Sequence, residues 1–443
     1  MFDTFQARRG RRRPVRQALS VCVVLALTAT GCAATAGGAA GSQTPSAFTF
    51  LAATENAQVT DELKRLAAGP CKTENAALPL KIQNLPTVEV NNRVTLLASQ
   101  KALPVMFITP TDQAKEGGDM NEAGALVDLP KELDRLGVGD DLLPAAASVG
   151  KAAYGSVISL PFQYSIEGFW YNKAVFRKAG ITVPKTWTAF RAAAARLEAR
   201  GIQPLTASGA QPWTITRYLS TYLARAMGVR ALQRVKDGKA RLTDPEYTKA
   251  AEQLAALGKA KYFGAGVISR DYNAMTQDFF GGKAAMMYQG SSSLGDVYDK
   301  ETNTVGAKDI GFFPFPAVSG GAGRITDYPS TTGTVTALSR TQFNDEVGAW
   351  VSCIAKHYGS SLLNNQGAIS GFKRNQPVKE SRPLVKDILR RMEQTTGSFP
   401  WFEAPFSQRF ADLATAYAPS LLDGRTSPAA YMKKLQNALD AGR

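Results

Sequence analysis

The sequence predicts an α/β protein of two lobes, and three observations carry that expectation. Past an N-terminal leader roughly 400 residues remain, more than one hydrophobic core usually supports. Strand-like and helical patterns alternate along the first part of the chain, as in βαβ units. Finally, one stretch reads as chain leaving one sheet and entering another. The apolar run Val157–Leu160 breaks at Pro161, passes through polar Gln163, Ser165 and Glu167, and resumes as Phe169, Trp170 and Tyr171. Proline cannot donate into a strand ladder, so Pro161 belongs at a strand end.

The elements justify themselves in order. Residues 47–53 are aromatic and alternating, the pattern of a first strand, and a short helix starts near Asp61. Extended segments are expected at Leu78–Ile82 and Thr87–Val90, a helix at Val94–Lys101, and a buried strand at Val105–Ile108 ended by Pro110. Thr186 is placed to cap a helix carrying Phe190, Ala193, Ala194 and Leu197, since a hydroxyl there satisfies first-turn amides. Asp244 is expected to cap the next helix, with Pro245 in its first turn. Residues 208–213 read as a loop, and Ile310–Pro316 and Ser330–Leu338 as strands returning to the first lobe. Asn344–His357 and Thr426–Leu439 read as helices. The expected division is residues 47–162 plus 313–340 for the first lobe and 163–312 plus 341–443 for the second.

The first 31 residues read as a signal peptide. Arg8, Arg9, Arg11, Arg12, Arg13 and Arg16 precede an apolar segment too short to span a bilayer. Leu27-Thr-Ala-Thr-Gly31-Cys32 resembles the lipobox of bacterial lipoproteins, with Ala29 where that motif usually has Leu; the resemblance implies lipidation of Cys32. The export route, general or twin-arginine, stays open. Residues 32–46, uncharged and rich in Ala, Gly and Ser, form a flexible tether of roughly 20 Å reach. The expected location is the outer face of the cell membrane.

The formal charge is +15, from 52 Lys and Arg against 37 Asp and Glu. Beyond the leader these charges are interleaved, a solvated surface with no nucleic-acid footprint. Enzyme readings fare poorly. The single histidine, His357, lies on a predicted helix, and no Gly-x-Ser-x-Gly elbow or Walker phosphate loop is present. A zinc site needs more His and Cys than the mature chain retains, so neither metal nor other cofactor is expected. Cys71 and Cys353 either pair, as exported cysteines often do, or Cys353 is a buried thiol on an apolar helix face. Paired carboxylates of a glycosidase remain an open alternative, because their spacing is three-dimensional.

The bridge also carries a family resemblance. Its order of Pro161, Gln163, Ser165, Glu167-Gly168, an aromatic pair, Tyr171-Asn172-Lys173, Ala179-Gly180-Ile181 and Pro184-x-Thr186-Trp187 is similar to family 1 extracellular solute-binding proteins of ABC importers, the maltose-binding-protein-like group. Leu126-Val-Asp-Leu129 and Gly282-Lys-Ala-Ala-Met286 extend it. The resemblance implies a type II periplasmic-binding-protein fold, each lobe a mainly parallel sheet flanked by helices, joined by hinge crossings. It implies capture of a small solute, foremost a mono- or oligosaccharide, and delivery to permease subunits by a monomeric, lipid-anchored receptor. A tethered glycosidase, or a sensor or adaptor subunit without transport, is the alternative.

A sugar site needs aromatic faces and planar polar groups in a concave cleft. In α/β sheets such loops lie beyond the carboxyl ends of strands. That rule selects Thr54, Glu55, Asn56, Thr109, Gln163, Tyr164, Ser165 and Glu167. It adds Trp213, Tyr288, Gln289, Gly290, Ser291, Gly333, Trp401 and Glu403. Trp170, Tyr171 and Trp187 fit packing patterns and are expected in the core.

Overall fold

A computed structural model describes residues 44–379 and 382–442. The expected signal peptide, Cys32 and most of the tether lie outside these residues.

Among the described residues ten strands form two sheets. The first contains β1 (Phe48–Ala53), β2 (Leu80–Leu85), β3 (Met106–Ile108) and β9 (Thr336–Leu338), in the order β2-β1-β3-β9. The first three run parallel, and β9 is antiparallel to β3. The second contains β4 (Ser165–Asn172), β5 (Gln203–Thr206), β6 (Ala284–Gly290), β7 (Ile310–Phe313), β8 (Asp327–Thr331) and β10 (Gly397–Phe399). Its order is β10-β8-β4-β6-β5, with β7 also on β4. Mainly parallel therefore describes the first sheet; the second is mixed, because β4 runs against β6, β7 and β8.

Strand parity explains the packing of the second sheet. Side chains alternate faces with period two, so Phe169, Met286 and Phe313 enter one core while Trp170, Met287 and Phe312 enter the other. Phe169 sits 4.6–5.9 Å from the rings of Phe190, Tyr218, Tyr288, Phe313 and Phe315. As expected, Trp170, Tyr171 and Trp187 are packing residues, with Tyr171 partly buried.

Three segments cross between the sheets side by side. Leu160 donates to the Thr336 carbonyl, Gly371 to that of Pro161, and Tyr164 to that of Ile369.

Several expectations change. Thr87–Val90 is the first turn of the helix Thr87–Ser99, which buries Val90 and Val94 one turn apart. Residues 310–331 do not return to the first lobe: β7 and β8 hydrogen-bond to β4, and only β9 rejoins the first sheet. The helix Asp345–Gln366 packs in the first core, not the second, with Trp350 against Phe48 and its indole N–H on the Leu78 carbonyl. Cys353 of that helix is disulfide-bonded to Cys71, 282 residues away. The helix Pro144–Tyr154 leans on the second sheet through Ala146 and Val149. Thr186, Asn344 and Ser427 cap their helices, whereas the Asp244 carboxylate accepts instead from the Arg241 amide.

Candidate functional site

A cavity of about 780 Å³ lies where the crossings meet the two lobes. Thr111, Asp112, Lys115 and Tyr154 line it on one side, Thr331 and Gly333 on the floor, and Trp213, Arg217, Trp401 and Glu403 on the other. A second cavity of about 770 Å³ shares Lys115, Tyr154, Phe406 and Ser407 with it, so the cleft continues outward.

Trp213 opens the helix Trp213–Met227, so it is not a loop residue. One turn later Arg217 projects from the same face, as residues four apart on a helix do. Trp401 follows β10. Its indole N–H donates to Glu167 Oε1 at 2.9 Å, and its ring lies 3.6 Å from the Arg217 Cζ. Trp213 stands 5.0 Å from that Cζ and 5.8 Å from the Tyr272 ring. Arg217 Nε is 3.5 Å from Glu167 Oε1, an ion pair without a hydrogen bond. Glu403 accepts from the Thr216 hydroxyl at 3.0 Å.

Glu167 is 4% exposed and its Oε2 has no hydrogen-bond partner. Burial holds its pKa above the ordinary carboxylate range. The Arg217 charge and the Trp401 hydrogen bond oppose this, and Glu403 adds to it.

Of the residues expected at the site, Trp213, Gly333, Trp401 and Glu403 line the cavity, and Glu167 stands directly behind Trp401. Gly333 has φ +79°, and a Cβ there would lie 2.3 Å from Gln163 Oε1. That left-handed φ strains any residue with a Cβ, so glycine suits the turn. Gln163 is thus half-buried against the cavity floor.

The remaining expectations fall elsewhere. Tyr164 and Tyr288 point into the two cores of the second lobe, Tyr288 bonded to the Thr221 hydroxyl at 2.9 Å. Ser165, Gly290 and Ser291 lock β4 to β6: the two serine hydroxyls are 3.2 Å apart, and the Gly290 carbonyl accepts from Trp170. Gln289 bonds the Tyr272 hydroxyl and the Gly290 amide. Asn56 donates to the Thr334 hydroxyl, Thr109 to Met120 Sδ, and neither lines the cavity. Thr54 is exposed outside it, and the Glu55 side chain lies outside the described residues.

The sequence reading missed Arg217, Asp112, Lys115 and Tyr154. For Arg217 the signal was present, a cation one helical turn from a nominated tryptophan. His357 is on a first-lobe helix and does not line the cavity. Among the described residues, the group with metal-ligand potential is Cys71, Glu74 and Cys353, whose two sulfurs are bonded to each other.

Residues 30–356 match the sequence profile of the bacterial extracellular solute-binding proteins, most of the chain. The chain belongs to that family. The family is one of solute receptors, not an enzyme class. Among curated relatives of this solute-binding protein, the sn-glycerol-3-phosphate-binding periplasmic protein of Brucella abortus is 25% identical over 61% of this chain and 63% of its own length. The Escherichia coli K12 protein of that name is 28% identical over 54% of this chain and 56% of its own. The match thus spans less than two thirds of either relative.

Solved structures extend the fold over nearly the whole chain. A chitin oligosaccharide binding protein superposes with a TM-score of 0.72 at 22% identity, covering 89% of this chain and 98% of that one. A probable secreted solute-binding lipoprotein from Streptomyces coelicolor gives 0.71 at 18%, covering 89% and 99%. These likenesses establish the two-lobed α/β fold of the solute-binding proteins. No helix among the described residues is long and apolar enough to cross a membrane.

Proposed function

We propose that this solute-binding protein captures an uncharged saccharide in the cleft and hands it to the permease of an ABC importer. The observation that carries the reading is the cavity wall: the half-buried indole of Trp401, held in place by Arg217 and Glu167, above polar groups from both lobes. An aromatic face covers the C–H surface of a sugar, and polar groups around it take the hydroxyls. Charge decides between solute classes. Asp112, Glu167 and Glu403 stand against Lys115 and Arg217, a poor balance for the phosphate ester named for the curated relatives.

Binding residues on both sides of the crossings make closure the means of capture. A ligand shifts the open–closed balance only by its differential affinity for the closed form. Cys32 would tether the receptor through a lipid, and a Cys32→Ser variant should then leave the membrane fraction.

The test is a thermal-shift screen of saccharides, polyols and sn-glycerol 3-phosphate, since ligand binding to the native state raises the unfolding midpoint. A rise with a neutral saccharide, recovered intact after incubation, supports the reading and separates it from a glycosidase. A rise with the phosphate ester alone would sink the charge argument.

A further inference from the structure

The two tryptophans nominated as stacking platforms share an occupant. Arg217 places its guanidinium carbon 3.6 Å from the Trp401 centroid and 5.0 Å from that of Trp213. Glu167 lies 3.5 Å from its Nε, and Glu403 lines the same wall. Two indoles and a carboxylate, with a second acid on the same wall, are the parts of a cation-binding cage, in which ring quadrupoles and negative charge attract an ammonium or guanidinium.

Hydrogen bonding does not account for how Arg217 is held. It is 6% exposed, yet its Nε and Nη1 are buried without a hydrogen-bond partner. Arg270, similarly buried in the same lobe, shows the contrast. Its two terminal nitrogens donate at 2.8 Å to the Phe263 and Ala265 carbonyls, and its Nε pairs with Asp278 at 2.9 Å. Arg270 is a tie between loops. Arg217 is retained by aromatic faces and one carboxylate, beside a cavity open to solute.

We infer that Arg217 is a specificity-determining residue: it fills an aromatic and acidic box with the protein's own cation, and so excludes cationic solutes from the cleft. Without it, the cleft would present two indoles and unneutralised carboxylates, a site for quaternary ammonium or guanidinium compounds. With it in place, Glu167 already has a cation partner and Trp401 offers a face to neutral groups. Because Arg217 itself lines the cavity, truncating its side chain joins the vacated space to the cleft and leaves it reachable from solvent. The inference rests on the cleft being the solute site.

The test compares wild type, Arg217→Ala and Arg217→Met in the full chain, titrated with ethylguanidinium and with choline. Tryptophan fluorescence and the thermal midpoint are the readouts. Arg217→Ala should bind both cations about tenfold more tightly than wild type, the scale expected of a desolvated cation–π contact. Arg217→Met, which refills the box with a neutral side chain, should not gain, and adding Trp401→Leu to Arg217→Ala should abolish the gain. If Arg217→Ala is destabilised, recovery of its midpoint by ethylguanidinium is the same reading. Equal responses of wild type and Arg217→Ala would overturn the inference, as would a gain in Arg217→Met, which places the cation elsewhere. Saccharide binding measured in parallel keeps the two questions apart. A wild type that binds no saccharide defeats the receptor reading, while the cation difference between variants still reports on the box.

Discussion

Among the described residues two glutamates are buried, one in each lobe, and they are treated in opposite ways. Glu62, fully buried in the first lobe, accepts from Asn365 at 3.1 Å, Gln366 at 2.9 Å, Arg65 at 3.0 Å and the Ser361 hydroxyl. Both of its oxygens are satisfied, and three of those four donors, Ser361, Asn365 and Gln366, come from the helix that carries Cys353. Glu167, in the second lobe, has one hydrogen bond, a loose ion pair and an idle oxygen. A buried charge is tolerable when fully paired and costly when it is not. The satisfied acid is therefore part of the scaffold. The unsatisfied one stands behind the wall of the proposed solute cleft.

That contrast can be broken from the scaffold side with the largest effects. Cys353→Ser should cost about 5 kcal/mol in the chain-entropy limit for so long a loop, read as a lowered denaturant midpoint that reducing agent reproduces in wild type. Glu62→Ala should cost about 3 kcal/mol by chemical denaturation, because it strands Ser361, Asn365 and Gln366 without their acceptor.

Changes on the site side should alter binding more than stability. Trp401→Ala should weaken saccharide affinity by about 2 kcal/mol in calorimetry, and Trp213→Ala by about 1 kcal/mol, since Trp401 also anchors Glu167. Unchanged affinity in both would remove the aromatic wall from the ligand.

The smallest expected effect is a slope. Burial raises the folded-state pKa of Glu167 above its unfolded value, with Arg217 and Glu403 as its charged neighbours. Between those two values the native state keeps a proton that the unfolded state releases, so stability declines as pH rises through that window. Glu167→Gln should flatten this part of the urea-midpoint profile. An unaltered slope would show that Arg217 neutralises the carboxylate.

Local features were legible in the chain. Thr186, Asn344 and Ser427 announce their helices, and the alternation of Phe169 with Trp170 announces a strand buried on both faces. The crossing at Pro161–Glu167 could be read because a proline and a run of polar residues interrupt two apolar segments. What could not be read depends on distant pairing. Nothing near Ser330 says that its strand lies beside β4, and nothing near Trp350 says that its ring meets Phe48. At the site, Tyr288 faces inward from within β6 and Tyr164 is buried just before β4, although the sequence pattern selects both as binding residues. Trp401 and Glu167 meet across 234 residues, a contact invisible to spacing.

The placement of the helix Asp345–Gln366 has a consequence for how the chain reaches its fold. The first sheet needs β9, and its core needs Trp350 and Cys353, yet all of β4 to β8 is synthesised before them. An amino-terminal half emerging from the ribosome or the export channel therefore carries an unfinished core, with Phe48 and Cys71 lacking their partners. Such late, long-range closure is slow and leaves apolar surface open to aggregation. The second lobe waits longer still, because Val385, Phe402, Phe410 and Tyr431 of its own cores follow that helix in the chain.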